Sequence, residues 1–171
     1  MPSTAFKGAL RQAAVDMPGA TKAQLGRLTF VEGEHVEIFG VPKLLLSTVR
    51  NAGMNRTPDV RARAIIPEWA ALLHIHYTVP MLSKSAVLNL FAAAGSIVGV
   101  GDWRPEKGSG NFGCFELCSP DDQRFKSIVE SSGRDVQEAA MKRAEPYNAE
   151  TEELLEWFGE AADARGFKIA R

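Results

Sequence analysis

Gly95-Ser96-Ile97-Val98-Gly99-Val100-Gly101-Asp102-Trp103-Arg104-Pro105-Glu106-Lys107-Gly108-Ser109-Gly110-Asn111-Phe112-Gly113-Cys114-Phe115-Glu116-Leu117 is the stretch around which the chain is organised. An apolar helix ends at Gly95 or Gly99, a glycine-rich loop centred on Trp103-Arg104-Pro105 follows, and Phe112 to Cys118 reads as a closing strand. In that strand Gly113, Phe115 and Leu117 face one side, and Cys114, Glu116 and Cys118 the other. Five glycines from Gly99 to Gly113 let backbone approach a ligand or another chain with no Cβ in the way. Trp103, Arg104 and Lys107 put a flat ring and cations in the loop, a combination that suits a base and its phosphate. A long, ordered surface loop between two elements is the other reading of the same residues.

Upstream, Ser83 or Ser85 caps a helix running to about Ala94, with Val87, Leu88, Phe91 and Ala94 as its buried face. Pro80 ends an alternating run from Leu72 to Val79. There Leu73, Ile75, Tyr77 and Val79 pack inward, while His74, His76 and Thr78 face the other way. Period two puts His74 and His76 on one face, as two metal ligands would need. A complete site needs more ligands and His35 is remote, so the expectation is an ordinary sheet face and no metal. Asp59 to Ala64 alternates too, with Asp59, Arg61 and Arg63 on one face and Val60, Ala62 and Ala64 opposite. Lys43 to Val49 is a further strand, and Asn51 to Pro58 a polar loop. From Lys43 to Arg63 there are five cations (Lys43, Arg50, Arg56, Arg61, Arg63) and one acid, Asp59, the most basic segment of the chain.

The chain opens on a helix with Ser3 as N-cap. Phe6, Leu10, Ala13 and Ala14 share its apolar face, and Lys7 and Arg11 lie one turn apart on another. Pro18-Gly19 is a turn, and Thr21 with Gln24 fits a capping box for a short second helix. Leu28 to Glu32 and His35 to Ile38 read as a hairpin around Gly33-Glu34, interrupted by Gly40-Val41-Pro42.

At 171 residues the chain can bury one good core. Its formal net charge is −1, unevenly spread: 12 Lys/Arg against 9 Asp/Glu up to Ser119, and 8 against 12 from Pro120 on. The later region reads as a helical, acidic appendage. Ser119, Pro120 and the aspartates after them start a helix with Phe125, Ile128 and Val129 as its stripe. Ser131-Ser132-Gly133 breaks it, Asp135 to Arg143 is a second helix, and Pro146-Tyr147 is a joint. A third runs from Ala149 to Ala164 with Leu154, Leu155, Trp157 and Phe158 apolar. Phe167-Lys168-Ile169 adds a short strand or trails off. This region (120–171) either covers the sheet of the core (1–119) or docks on a basic surface of a neighbouring copy. Cys114 and Cys118 are the only cysteines. Four residues apart on a strand, they sit about 13 Å apart and cannot pair. The expectation is a reducing compartment, with no signal peptide, membrane span, repeat or low-complexity tract.

Two landmarks carry a resemblance. Pro2-Ser3-Thr4-Ala5-Phe6-Lys7-Gly8-Ala9-Leu10-Arg11 looks like the opening of the first helix in the RAMP superfamily, the RRM-like backbone and guide-processing subunits of CRISPR effector complexes. The loop from Gly99 to Gly113, followed by Phe115 and Leu117, is similar to that family's glycine-rich loop. Ser83 to Leu117 also resembles bacteriophage and prophage proteins with a Gly-Asp-Trp-Arg-Pro-Glu-Lys signature, here Gly101 to Lys107. The sequence departs from the family in opening on the helix, with no strand before it, and in having Trp-Arg-Pro where the family has a plain basic glycine run. The resemblance covers Pro2 to Leu117. It implies an α+β fold with an RRM/ferredoxin-like antiparallel sheet, helices on one face and a basic inserted hairpin from Lys43 to Arg63. It also implies tracking of RNA or single-stranded DNA through its backbone and assembly of copies along the strand, in the cytoplasm of a bacterial host.

The expected function is accordingly a non-catalytic single-stranded nucleic-acid-binding protein that forms homo-oligomers. Its contacts are Lys7 and Arg11, the arginines Arg50, Arg56, Arg61 and Arg63, and the loop residues Trp103, Arg104 and Lys107. No cofactor and no membrane partner is expected. The alternative is a phage-encoded inhibitor or assembly factor that acts on a host protein through the acidic tail. A nuclease built on His74 and His76 is a third reading, but no nucleophile elbow, Walker loop, zinc signature or carboxylate pair supports it.

Overall fold

Residues 1–18, 20–50, 56–107 and 110–166 are described by a computed structural model as a mixed α+β protein, the class the sequence predicts. The elements run α1 (Ser3–Ala13), α2 (Lys22–Leu28), β1 (Thr29–Val31), β2 (Lys43–Arg50), β3 (Pro58–Ile65), β4 (Ile75–Tyr77), α3 (Lys84–Ala93), a π-helical turn (Ala94–Val98), α4 (Gln123–Ser131), α5 (Arg134–Lys142) and α6 (Ala149–Ala164). The strands form two separate two-stranded antiparallel sheets, β1–β4 and β2–β3. Among the described residues no helix is long and apolar enough to cross a membrane. The sequence readings at Gly19, at 51–55, at Gly108 and Ser109, and at Phe167 to Ile169 lie outside the described residues. Contacts divide the chain into two units, Met1–Ile38 with Ala71–Lys126, and Phe39–Ala70 with Ser127–Arg171.

In the first unit the apolar face of α1 (Phe6, Ala9, Leu10, Ala13) is covered, and Leu25, Val87, Leu90, Phe91, Ala94 and Val98 supply much of the rest of the core. Leu90, not Leu88, completes the inner face of α3, and Leu88 is 45% exposed. Two caps are as the sequence reads: the Thr21–Gln24 box before α2, and Ser83, whose hydroxyl accepts from the Ala86 amide at 3.2 Å. Ser3 is not a cap. It is buried, Pro2 holds the N-cap position, and the Ser3 amide donates to the Glu34 carbonyl at 2.9 Å. The Val36 amide likewise donates to the Met1 carbonyl at 2.7 Å, so residues 34–36 pair with the N-terminal residues. This removes the expected hairpin, because His35 bridges Pro2 and β1 pairs instead with the distant β4, Thr29 opposite Tyr77 and Phe30 opposite His76.

The closing strand is also absent, and Leu72 to Val79 shrinks to the three residues of β4. Residues 112–118 join no sheet because Gly113 turns at φ +72 and the segment is tied to the end of α3. The Phe115 amide donates to the Gly95 carbonyl at 3.1 Å, and the Val100 amide to the Gly113 carbonyl at 2.9 Å. α4 starts later than Ser119-Pro120 implies. The Asp122 carboxylate accepts from the amides of Arg124 and Phe125, at 2.8 and 3.1 Å, and so caps it.

The second unit is built on the β2–β3 ribbon, paired from Lys43–Ile65 to Arg50–Pro58. Its base is closed by reciprocal 2.9 Å hydrogen bonds between Phe39 and Ala70. The free edge of β2 meets the chain ahead of α6. Leu44 donates to the Glu145 carbonyl and accepts from the Tyr147 amide, both at 2.8 Å. Next along the strand the Leu46 amide donates to the Thr151 hydroxyl at 3.1 Å, and that hydroxyl donates to Asn148 Oδ1, the α6 cap, at 2.7 Å.

Two stability tests follow from this packing. A Cβ on Gly95 would collide with the Phe115 carbonyl, whereas one on Gly8 meets nothing within 4 Å. Gly95→Ala is therefore expected to lower urea stability by about 1–3 kcal/mol, and Gly8→Ala to raise it by about 0.5–1 kcal/mol through helix propensity. Thr151→Val leaves the Leu46 amide unpaired in a fully buried site and is expected to cost about 1–3 kcal/mol, with Thr151→Ser restoring most of it.

Candidate nucleic-acid interface

The nine candidate contact residues divide between the units. Lys7, Arg11, Trp103, Arg104 and Lys107 belong to the first, and Arg50, Arg56, Arg61 and Arg63 to the second.

The loop is assembled from backbone. Gly99 leaves the π-helical turn at φ +71, its amide donating to the Ala94 carbonyl at 2.8 Å in the π pattern. The Glu106 amide returns to the Val98 carbonyl at 3.3 Å, and the Lys107 amide to the Arg104 carbonyl at 2.9 Å. Trp103 sits at φ +53, a left-handed conformation that costs a bulky residue on the order of 1–3 kcal/mol. Its amide donates to Asp102 Oδ1 at 3.1 Å, and its carbonyl accepts from the Phe112 amide at 3.3 Å. Gly110 lies so close that a Cβ there would collide with the Trp103 carbonyl and ring. Trp103 nevertheless stays 49% exposed, so the loop leaves the residue half open to solvent.

The cations differ in what already holds them. The Arg104 guanidinium donates to the Gly101 carbonyl at 2.9 Å and to Glu106 Oε2 at 2.8 Å, which makes it a staple of the loop. Arg11 donates from Nε to the Lys22 carbonyl at 3.4 Å and lies against Gly26, joining α1 to α2. Lys7 places Nζ 4.5 Å from the Phe30 ring centroid, a cation–π contact. Arg61 Nε lies 3.8 Å from Asp59 Oδ2. Arg63 is half-buried and donates to Ser47 Oγ at 3.1 Å, while Ala62 and Ala64 are exposed, so the expected split of β3 into a charged and an apolar face does not hold. Arg50, Arg56 and Lys107 are exposed, and among the described residues their side chains have no ion pair or hydrogen bond.

Phe30 is not among the residues the sequence singles out. It is 53% exposed, opposite His76, on the sheet face that also carries Glu32 and His74. Thr29 beside it is buried, so alternation turns Phe30 outward, and since a polar Thr inside and an aromatic Phe outside invert the usual pattern, no local signal in the sequence carries this. His76 Nε2 lies 3.4 Å from Glu32 Oε2. Among the described residues no group of three or more His, Cys, Asp or Glu is placed to hold a metal ion. Both cysteines are free and exposed thiols.

No protein-family model, curated protein or solved structure matches this chain.

The Cys118 thiol is pushed above its ordinary pKa by partial covering, and further by the negative charges of Asp122 and Glu116. A raised pKa lowers the thiolate fraction at a given pH. In a Cys114→Ser background, Asp122→Asn is therefore expected to speed alkylation of Cys118 at about pH 8, with Asn still able to cap α4. An unchanged rate would show that the Asp122 charge does not reach the sulfur.

Proposed function

We propose that this chain is a non-catalytic protein that binds single-stranded nucleic acid, RNA or DNA, by its backbone and by stacking. The observation that carries the reading is Trp103, held at φ +53 by the packing of Gly110 and still half exposed. A strained aromatic kept in solvent has no core role, and stacking on a base is a use that tolerates any sequence. Lys107 on the same loop is an open cation, and Arg50 and Arg56 are open cations at the end of the β2–β3 ribbon. Such groups meet phosphates without reading bases.

The finer fold reading belongs to the same proposal. The order α1–α2–β1–β4–α3, with β1 antiparallel to β4 and the basic β2–β3 ribbon inserted in sequence between them, is what supports an RRM-like core of RAMP type. Assembly of copies along the strand, a phage origin and the cytoplasm of a bacterial host come with that resemblance. The second reading, a factor acting on a host protein, is favoured by α6, where Trp157 is 59% exposed among acids.

The test is light-scattering mass with and without a strand of about 40 nucleotides, at low and high salt. Binding that dissolves with salt is expected. Arg50→Ala with Arg56→Ala is expected to weaken it about uniformly across sequences and to lower the salt slope by about 1.4. Trp103→Ala is expected to cost about 1–3 kcal/mol of stacking. A mass indifferent to the strand at low salt overturns the reading in favour of the protein-directed one.

A further inference from the structure

α6 carries Glu150, Glu152, Glu153, Glu156, Glu160 and Asp163 and neither Lys nor Arg. Thr151, bonded to the Leu46 amide, fixes which side faces β2. At about 100° per residue, Leu154, Phe158 and Ala161 fall on that side, and Leu154 and Ala161 are half-buried. Glu152, Glu156 and Glu160 fall on the opposite side. Trp157 lies at the edge of this outer side, 59% exposed, with Glu153 one turn before it and Glu160 one turn after. Its ring meets Phe158 edge to face, centroids 4.9 Å apart and planes at 71°, so it is braced as well as exposed. Among the described residues none of the six carboxylates forms a salt bridge. Like charges one turn apart on a helix repel, and a covering cation relieves them.

The complementary surface is on the chain itself. Lys43 to Arg63 holds five cations and one acid, and Arg50 and Arg56 are exposed without ion pairs among the described residues. Within one copy α6 packs on β2 through its other side, and no α6 carboxylate pairs with either arginine. Arginine over an indole flanked by carboxylates combines a cation–π contact with charge-assisted hydrogen bonds, and Trp and Arg are the residues that dominate binding energy at interfaces.

We propose that the acidic, Trp157-bearing side of α6 docks on Arg50 and Arg56 of the β2–β3 ribbon of a second copy of this chain. The two patches differ, so the contact is heterologous. It closes into a dimer if both copies engage reciprocally and otherwise propagates. The proposal stands without the strand-binding reading. Where that reading also holds, a strand and α6 compete for the same two arginines.

The experiment is sedimentation of the full chain without nucleic acid, across protein and salt concentrations, so that its failure is read separately from failure of strand binding. The expected mass exceeds the 18.6 kDa of one chain, rises with protein concentration and falls with salt. Glu153→Lys with Glu160→Lys, and separately Arg50→Glu with Arg56→Glu, are each expected to weaken self-association about tenfold or more. An equimolar mixture of the two variants is expected to form a 1:1 complex, since the intact ribbon of one meets the intact α6 of the other. Trp157→Ala is expected to weaken self-association in the same direction without altering charge. A wild-type chain that stays at one-chain mass overturns the proposal, as does association indifferent to both reversals. An arginine-rich peptide bound by a chain that itself stays monomeric also overturns it, assigning the face to a foreign basic partner.

Discussion

Backbone against backbone at Gly95 sets the geometry of the first unit. The Gly95 carbonyl accepts from the Phe115 amide, and the position of a Cβ on Gly95 is filled by the Phe115 carbonyl. Two segments can approach this closely only where one side chain is missing. The approach falls within the π turn that follows α3, and residues 112–118, tied there, join no sheet. Gly113, at φ +72, repeats the same device against Val100. The loop between them is therefore pinned at both stems, and Trp103 can be held in an unfavourable conformation while half exposed.

The second unit depends on a different constraint, the satisfaction of a strand edge. β2 pairs with β3 on one side, which leaves a row of amides and carbonyls on the other. The backbone at 145–147 and the Thr151 hydroxyl take up part of that row. Thr151 at once pairs the Leu46 amide and engages the cap of α6. A single buried hydroxyl thus ties α6 to the outer edge of β2 and fixes which side of α6 faces outward.

Charge is sorted by the same packing. Arg104 and Arg11 hold local structure, Arg63 is drawn to Ser47, and Arg50, Arg56 and Lys107 remain open. A net charge near zero thereby coexists, within the second unit, with the exposed Arg50 and Arg56 and an acidic helix, α6, whose carboxylates form no salt bridge among the described residues. Uneven charge of this kind is what long-range electrostatic attraction acts on. Both proposed contacts rest on this uneven distribution.

Much of the helical structure is legible in the sequence because its signals are local. The Thr21–Gln24 box, Ser83 and the span Ala149–Ala164 depend on residues within a turn or two of one another. The strands Lys43–Arg50 and Pro58–Ile65, the basic character between them and the exposed character of the Trp103 loop follow from composition and alternation. What only the tertiary structure decided is long-range. β1 found β4 because residues 34–36 were taken by the N-terminal residues, a competition that alternation cannot rank. Residues 112–118 alternate as a strand does, yet glycine contacts at Gly95 and Val100 deny them a ladder. Which cations are open is equally out of reach of the sequence, because a guanidinium is fixed by whichever carbonyl or carboxylate the fold brings within hydrogen-bond range.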